Sequence, residues 1–247
     1  MNGTVLITGA AGRIGSHLTG ALKDRYALAL TDTLPPAETY GLPFTQADIA
    51  DMEAMRAVCR GAHTVVHLAA DPRTFAPWET LLPANIVGAY NVFEAAREAG
   101  CARVVFASTI NAVGGYPRDA QIHTSQPVAP LNLYGATKAW GEALGRLYAD
   151  QHGMSAICLR FGAVLPLTNS EWIYPGSPLL DMILTPDDCA RLIEASVAAP
   201  ESLRFGVFHG VSNNRYKRMD ITDARALLGY DPQDDAFAYA ESLAGKA

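Results

Sequence analysis

Apolar positions along this chain follow two rhythms in alternation. Short unbroken apolar runs stand at Thr4–Thr8 (TVLIT), Tyr26–Thr31, Thr64–Leu68 (TVVHL), Arg103–Ala107 and Ser155–Arg160. Runs of that length fit strands buried on both faces. Between them, apolar residues recur at helical spacing over Arg13–Asp24, Asp51–Arg60, Asn85–Ala99 and Tyr134–His152. Strands alternating with helices predict right-handed βαβ units and an α/β fold: a Rossmann-type, doubly wound parallel sheet. Past Gly162 the texture changes. Residues 163–186 are rich in Pro, Leu and aromatics with no clean period. A helix at Pro186–Ala199, a strand at Phe205–His209 and a short helix at Asp220–Leu228 are expected to follow. The expected organisation is one larger α/β domain over 1–162, with a small region over 163–247 packed on it.

Composition narrows the choice. With 49% hydrophobic and 18% charged residues over 247 positions, the chain supports a full core. The net charge is −6 and no basic block occurs, which argues against nucleic acid and anionic membrane as partners. No signal peptide is recognisable, and no run approaches the roughly 18 apolar residues of a membrane span. The four cysteines form no C-x-x-C pair, as expected of reduced thiols in the cytoplasm. No Cys/His cluster suggests a metal.

The turn after the first strand reads Thr8-Gly9-Ala10-Ala11-Gly12-Arg13-Ile14-Gly15 and opens the first helix. A dinucleotide pyrophosphate needs close backbone approach and a helix N-terminus aimed at it, which glycines at this place permit. The spacing is G-x-x-G-x-x-G rather than G-x-G-x-x-G, so its strand–helix context carries the argument. Asp32 ends the second strand, where an acidic side chain hydrogen-bonds adenosine ribose hydroxyls and repels a 2′-phosphate. Residues 33–37 offer no cation. NAD is therefore expected over NADP, with Arg13 as the one residue working against that choice. Asp48 and Ile49 are placed near adenine, a loop Asp being equally suited to cap a helix.

Tyr134-Gly135-Ala136-Thr137-Lys138 is a Y-x-x-x-K, which puts both side chains on one helix face. An ammonium there is expected to lower the phenol pKa from about 10, so that Tyr134 exchanges a proton with a substrate hydroxyl. Thr109 follows the fourth strand at the sheet edge where ligands bind, and offers a hydroxyl to the substrate oxygen. Ser108 beside it is the more structural of the two.

In this combination the chain resembles the extended short-chain dehydrogenase/reductases, the NAD-dependent epimerase/dehydratase family. The matching pieces are TGAAGRIG, Asp32, Asp48-Ile49, His67–Ala70, Asn85–Ala96, Phe106–Thr109, YGATK and Leu159–Gly162, in the family's order over residues 4–162. The resemblance implies that Thr109, Tyr134 and Lys138 are catalytic. It also implies that Gly9, Ala11, Gly12, Arg13, Ile14, Gly15, Asp32, Asp48, Ile49, Leu68, Ala69, Ala70, Asn85, Tyr134 and Lys138 surround the cofactor. It further implies a homodimer through the helices at 85–99 and 134–152.

Among family members the short uronate dehydrogenases look most similar, which implies hydride transfer from a sugar-like hydroxyl, with the anomeric one as a candidate, to NAD. Asp71, Arg73, Thr109, Ile110, Asn111, Ala163 and Trp172 are the candidates for substrate contact. The chain departs from that group at Ile110, Asn111 and Ala163, and residues 161–190 hold no Arg or Lys to clamp a carboxylate. Arg73, Arg118, Arg215 or Lys217 are the available substitutes. Trp172 and Tyr174 suit stacking on a neutral sugar, or equally plain packing. An epimerase or dehydratase acting on a nucleotide sugar, and a non-catalytic NAD(P)-binding sensor, are the alternative readings.

Overall fold

The computed structural model describes residues 3–244. Seven strands form one sheet: β1 (Thr4–Thr8), β2 (Leu28–Asp32), β3 (Phe44–Gln46), β4 (Ala62–His67), β5 (Arg103–Thr109), β6 (Ser155–Phe161) and, last in the chain, Phe205–Gly210. That last strand is β9, because β7 (Ala163–Val164) and β8 (Ile183–Leu184) make a separate small pair. The order across the main sheet is β3-β2-β1-β4-β5-β6-β9, with every pairing parallel. This is the doubly wound α/β fold expected from the alternating pattern. The order reverses between β1 and β4, and a crevice opens there beyond the strand C-termini.

Seven helices flank the sheet: α1 (Arg13–Leu22), α2 (Met52–Cys59), α3 (Trp78–Leu81), α4 (Gly88–Glu98), α5 (Leu133–His152), α6 (Pro186–Val197) and α7 (Ala236–Ala244). Side chains of a strand alternate between faces. Val5 and Ile7 of β1 therefore join one core with Leu18, Leu192 and Ile193 of α1 and α6. Leu6 joins the other, with Met55, Phe93 and Leu144 of α2, α4 and α5. A third cluster of Ile173, Leu180, Ile183, Ala236 and Ala240 ties the aperiodic stretch after β6 to α7. Because β9 pairs with β6, the last third of the chain completes the central sheet.

Several elements differ from the sequence expectation for physical reasons. β3 is three residues long at an exposed edge, too short for a periodic signal. α7 buries alanines, which carry little amphipathic contrast. The helix expected at Asn85 starts at Trp78 and passes through a π-helical turn over Leu82–Val87, with Pro83 at its start. β5 runs two residues beyond Ala107, so Ser108 and Thr109 lie within the strand. Among the described residues no helix is long and apolar enough to cross a membrane.

Candidate active site

The crevice is a cavity of about 970 Å³. One end is the turn from β1 to α1. Gly9 has φ +74°, and a Cβ there would stand 2.6 Å from the Ala69 nitrogen. A Cβ on Gly15 would stand 2.1 Å from the Gly9 oxygen, so this glycine lets helix and turn touch. Gly12 is different. Its Cβ would crowd only the Gly9 oxygen, at 3.2 Å, and the residue is exposed. As N-cap of α1, Gly12 supplies no side-chain acceptor, and the first turn carries no acidic residue. The first-turn amides and the positive end of the helix dipole are thus left for an external anion. The carboxylate of Asp32 folds back on this turn, accepting from Ala11 N–H at 2.9 Å and from Thr33 N–H at 2.7 Å. Arg13, Ile14, Asp48, Ile49, Leu68, Ala69 and Ala70 line the same end. So do Thr33 and Leu34, which the sequence reading passed over. Asp48 also accepts from Ala50 N–H, which makes it a local turn former as well.

At the other end, Thr109 and α5 come together. Asn132 caps α5 by accepting from Gly135 N–H at 2.8 Å. A Cβ on Gly135 would lie 2.2 Å from the Asn111 oxygen, so a glycine is needed to press the first turn of α5 onto the end of β5. Thr109 Oγ1 accepts from Asn111 twice, from its N–H at 3.2 Å and its Nδ2 at 3.1 Å. Asn132 Nδ2 in turn donates to Asn111 Oδ1 at 3.1 Å. With its acceptor sites taken, Thr109 has its own proton left to give, on the side where it acts to lower the Tyr134 pKa.

Lys138 is buried, with Nζ 5.1 Å from the Phe106 ring centroid and 5.8 Å from that of Tyr134. Aromatic faces, rather than carboxylates, hold the ammonium. Burial brings its pKa down to about 8. Burial also pushes Tyr134 up to about 12, against the hydrogen bond from Thr109, while the charge of Asp71 adds to the rise. The expectation that Lys138 lowers the Tyr134 pKa below 10 is therefore corrected. Desolvation of the phenolate outweighs its stabilisation in this state. His67, buried beside Phe106, is pushed down to about 3 by burial and by the charge of Lys138. It stays neutral and is hydrogen-bonded to Thr8 Oγ1 at 2.8 Å.

Asp71, Arg73, Ile110, Asn111 and Ala163 all line this catalytic end, with Thr80, Leu179 and Met182. Asn85 and Trp172 do not. Asn85 is buried behind the wall, where its Oδ1 accepts from Asp71 N–H at 2.8 Å and its Nδ2 donates to Thr137 Oγ1 at 3.0 Å. It positions the loop rather than facing the cavity. Trp172 stays 41% exposed, away from the cavity lining. Ser108 donates to Glu142 at 2.6 Å, and Glu142 is held by both prongs of Arg160 at 2.8 Å. Glu142 lies one helical step beyond Lys138, and a buried carboxylate there required a cation. That was the available signal for the Arg160 pair.

Comparison with known proteins identifies the family. The family model described as "NAD dependent epimerase/dehydratase family" matches residues 5–166. An NAD-dependent glucose-6-phosphate dehydrogenase of Haloferax volcanii is 35% identical, over 96% of this chain and 95% of its own length. An L-arabinose 1-dehydrogenase (NAD(P)(+)) from the same organism is 32% identical, over 96% and 99%. The structure of a uronate dehydrogenase mutant from Agrobacterium tumefaciens, complexed with NAD, superposes with a TM-score of 0.86 at 32% identity. That match covers 99% of this chain and 90% of the other.

Proposed function

The chain belongs to the NAD-dependent epimerase/dehydratase family, and from this we propose that it is an NAD-dependent dehydrogenase acting on a hydroxyl of a sugar. The observation that carries the reading is the shared cavity. One end holds the open Gly12 turn and the Asp32 carboxylate, and the other holds Thr109, Tyr134 and Lys138. The relatives named above act, by their names, on a sugar phosphate, a neutral sugar and a uronate with NAD as cofactor, which supports the chemistry without choosing the sugar.

NAD, when bound, supplies the acceptor for the hydride that leaves the substrate carbon. The free first-turn amides of α1 beyond Gly12 would hold its pyrophosphate, and Asp32 would accept from the adenosine ribose hydroxyls. Asp32 brings a negative charge where a 2′-phosphate would stand, which favours NAD over NADP. Thr109 donates to the substrate oxygen and holds it beside Tyr134. Tyr134 takes the hydroxyl proton as the C–H bond breaks and the carbonyl forms. Lys138 supports the phenolate electrostatically and would hydrogen-bond the nicotinamide ribose. Oxidation at an anomeric carbon gives a lactone, whereas other positions give a ketone or an aldehyde.

Purified protein with NAD and a panel of sugars should form NADH, read by its absorbance. Tyr134→Phe should lower turnover by about 100-fold or more, with NAD affinity nearly unchanged. A variant that keeps wild-type turnover would remove Tyr134 from the mechanism.

Two further features belong to this reading. The chain pairs as a homodimer through α4 and α5, where Tyr90, Leu133, Trp140 and Leu147, with Val87 just before α4, are large, apolar and exposed. The enzyme works in the cytoplasm, a setting supported by four buried cysteines that are all free thiols.

A further inference from the structure

An anionic group on a substrate has to meet a cation when it leaves water, or its burial is costly. Among the described residues, three cations line the cavity: Arg13, Arg73 and Lys138. Arg13 stands at the glycine turn, at the far end from Tyr134. Lys138 is buried against the rings of Phe106 and Tyr134. Only Arg73 is placed to meet a substrate.

Arg73 is already neutralised. Its Nε donates to Asp71 Oδ1 at 3.0 Å and its Nη2 to Asp71 Oδ2 at 2.6 Å, a fork on a carboxylate that is 9% exposed. The Asp71 backbone is fixed in turn by Asn85, which holds the carboxylate in place beneath Arg73. The facing wall of Ala163, Leu179 and Met182 carries no charge. The cations that could have come from outside residues 161–190 are spent elsewhere. Arg118 forks onto Asp181, Arg215 onto Glu241, and Lys217 donates to the Asn214 carbonyl.

We propose that Asp71 is a specificity residue: by masking Arg73 it leaves the catalytic wall without net charge, and the enzyme takes an uncharged sugar in preference to a uronate or a sugar phosphate. This rests on the dehydrogenase reading above and narrows its substrate class. Carboxylate and phosphate are excluded by one cause, the lack of a free cation at the catalytic end once Asp71 has taken Arg73.

The test is kcat/KM with NAD for L-arabinose and D-galactose against D-galacturonate and D-glucose 6-phosphate. The wild-type protein should favour the uncharged sugars by about 100-fold or more. Asp71→Asn unmasks the Arg73 guanidinium, so the ratio of uncharged to anionic kcat/KM should fall by about tenfold or more, whatever happens to the absolute rate. Leu179→Arg, which adds a cation on the opposite wall, should shift the ratio the same way and serves if Asp71→Asn fails to fold. Wild-type preference for galacturonate or glucose 6-phosphate, or a ratio unmoved by either variant, overturns the proposal. NADH from none of the four sugars, with NAD still bound, overturns the dehydrogenase reading and the proposal with it. That outcome is distinct from NADH formed from the wrong class.

Discussion

At the scale of single residues, the site is an arrangement of proton directions. Thr109 accepts from Asn111 through two atoms, so its hydroxyl points outward as a donor. Asn111 thereby acts through Thr109 as well as lining the cavity. Tyr134 near 12 and Lys138 near 8 bracket the working range. For sugar oxidation Tyr134 must be a phenolate, and below its pKa the phenolate fraction rises about tenfold per pH unit. The kcat/KM for oxidation should therefore climb with pH from 6 to 8. The rise should bend above about 8, where Lys138 loses its charge and its support of the phenolate. A profile flat across that range would exclude Tyr134 as the proton acceptor.

At the scale of elements, α5 does three things with three faces. Tyr134, Lys138 and Glu142 lie at successive steps of four along its inner side, supplying the proton acceptor, the ammonium and a partner for Arg160. Gly141 makes room on the core side, since a Cβ there would stand 2.1 Å from Phe106 Cζ. That room lets the ring lie beneath the Lys138 ammonium. Outward, Leu133, Trp140 and Leu147 stand seven apart, and Val87, just before α4, and Tyr90 of α4 add to the same kind of exposed seam. If this seam is the dimer interface, light scattering should give the wild-type chain twice its 26.4 kDa mass. Trp140→Glu together with Leu147→Glu should then give the monomer. A monomeric wild-type chain at micromolar concentration would leave the seam unpartnered.

What the sequence disclosed at this scale was local. The glycine turn, Asp32 and the Tyr134–Lys138 spacing are each written within a few residues. The Asn132–Asn111–Thr109 chain, the Asp71 tether by Asn85, and the Arg160–Glu142 pair join residues distant in sequence, and only the fold brings them together. For Trp172, an aromatic in an aperiodic stretch carries no information about which way it faces, and it stands exposed outside the cavity lining.

At the scale of the whole molecule, the sheet encloses two histidines that must stay neutral. His67 ends β4 and is held near 3, and His209 lies in β9 beside Arg160 and is held near 4, both chiefly by burial. In an unfolded chain each returns to about 6.5. A folded pKa below the unfolded one means the unfolded state binds the proton first. The stability involved is complete above pH 6.5 and is lost as pH falls toward the folded values. Each histidine adds a slope of up to about 1.4 kcal/mol per pH unit in that window. Paired carboxylates behave in the same direction but later. Glu94 is held near 2 by Arg97 and returns to 4.5 when unfolded, so its contribution falls away only below about that pH. The interval from pH 6.5 to 4.5 thus isolates the histidines. Urea midpoints measured across it should decline steadily, and His209→Gln should flatten the decline by about half, since one of two protonating groups is gone. A midpoint constant from 6.5 to 4.5 would mean the folded protein accepts these protons, and that neither histidine is closed off by the sheet as described.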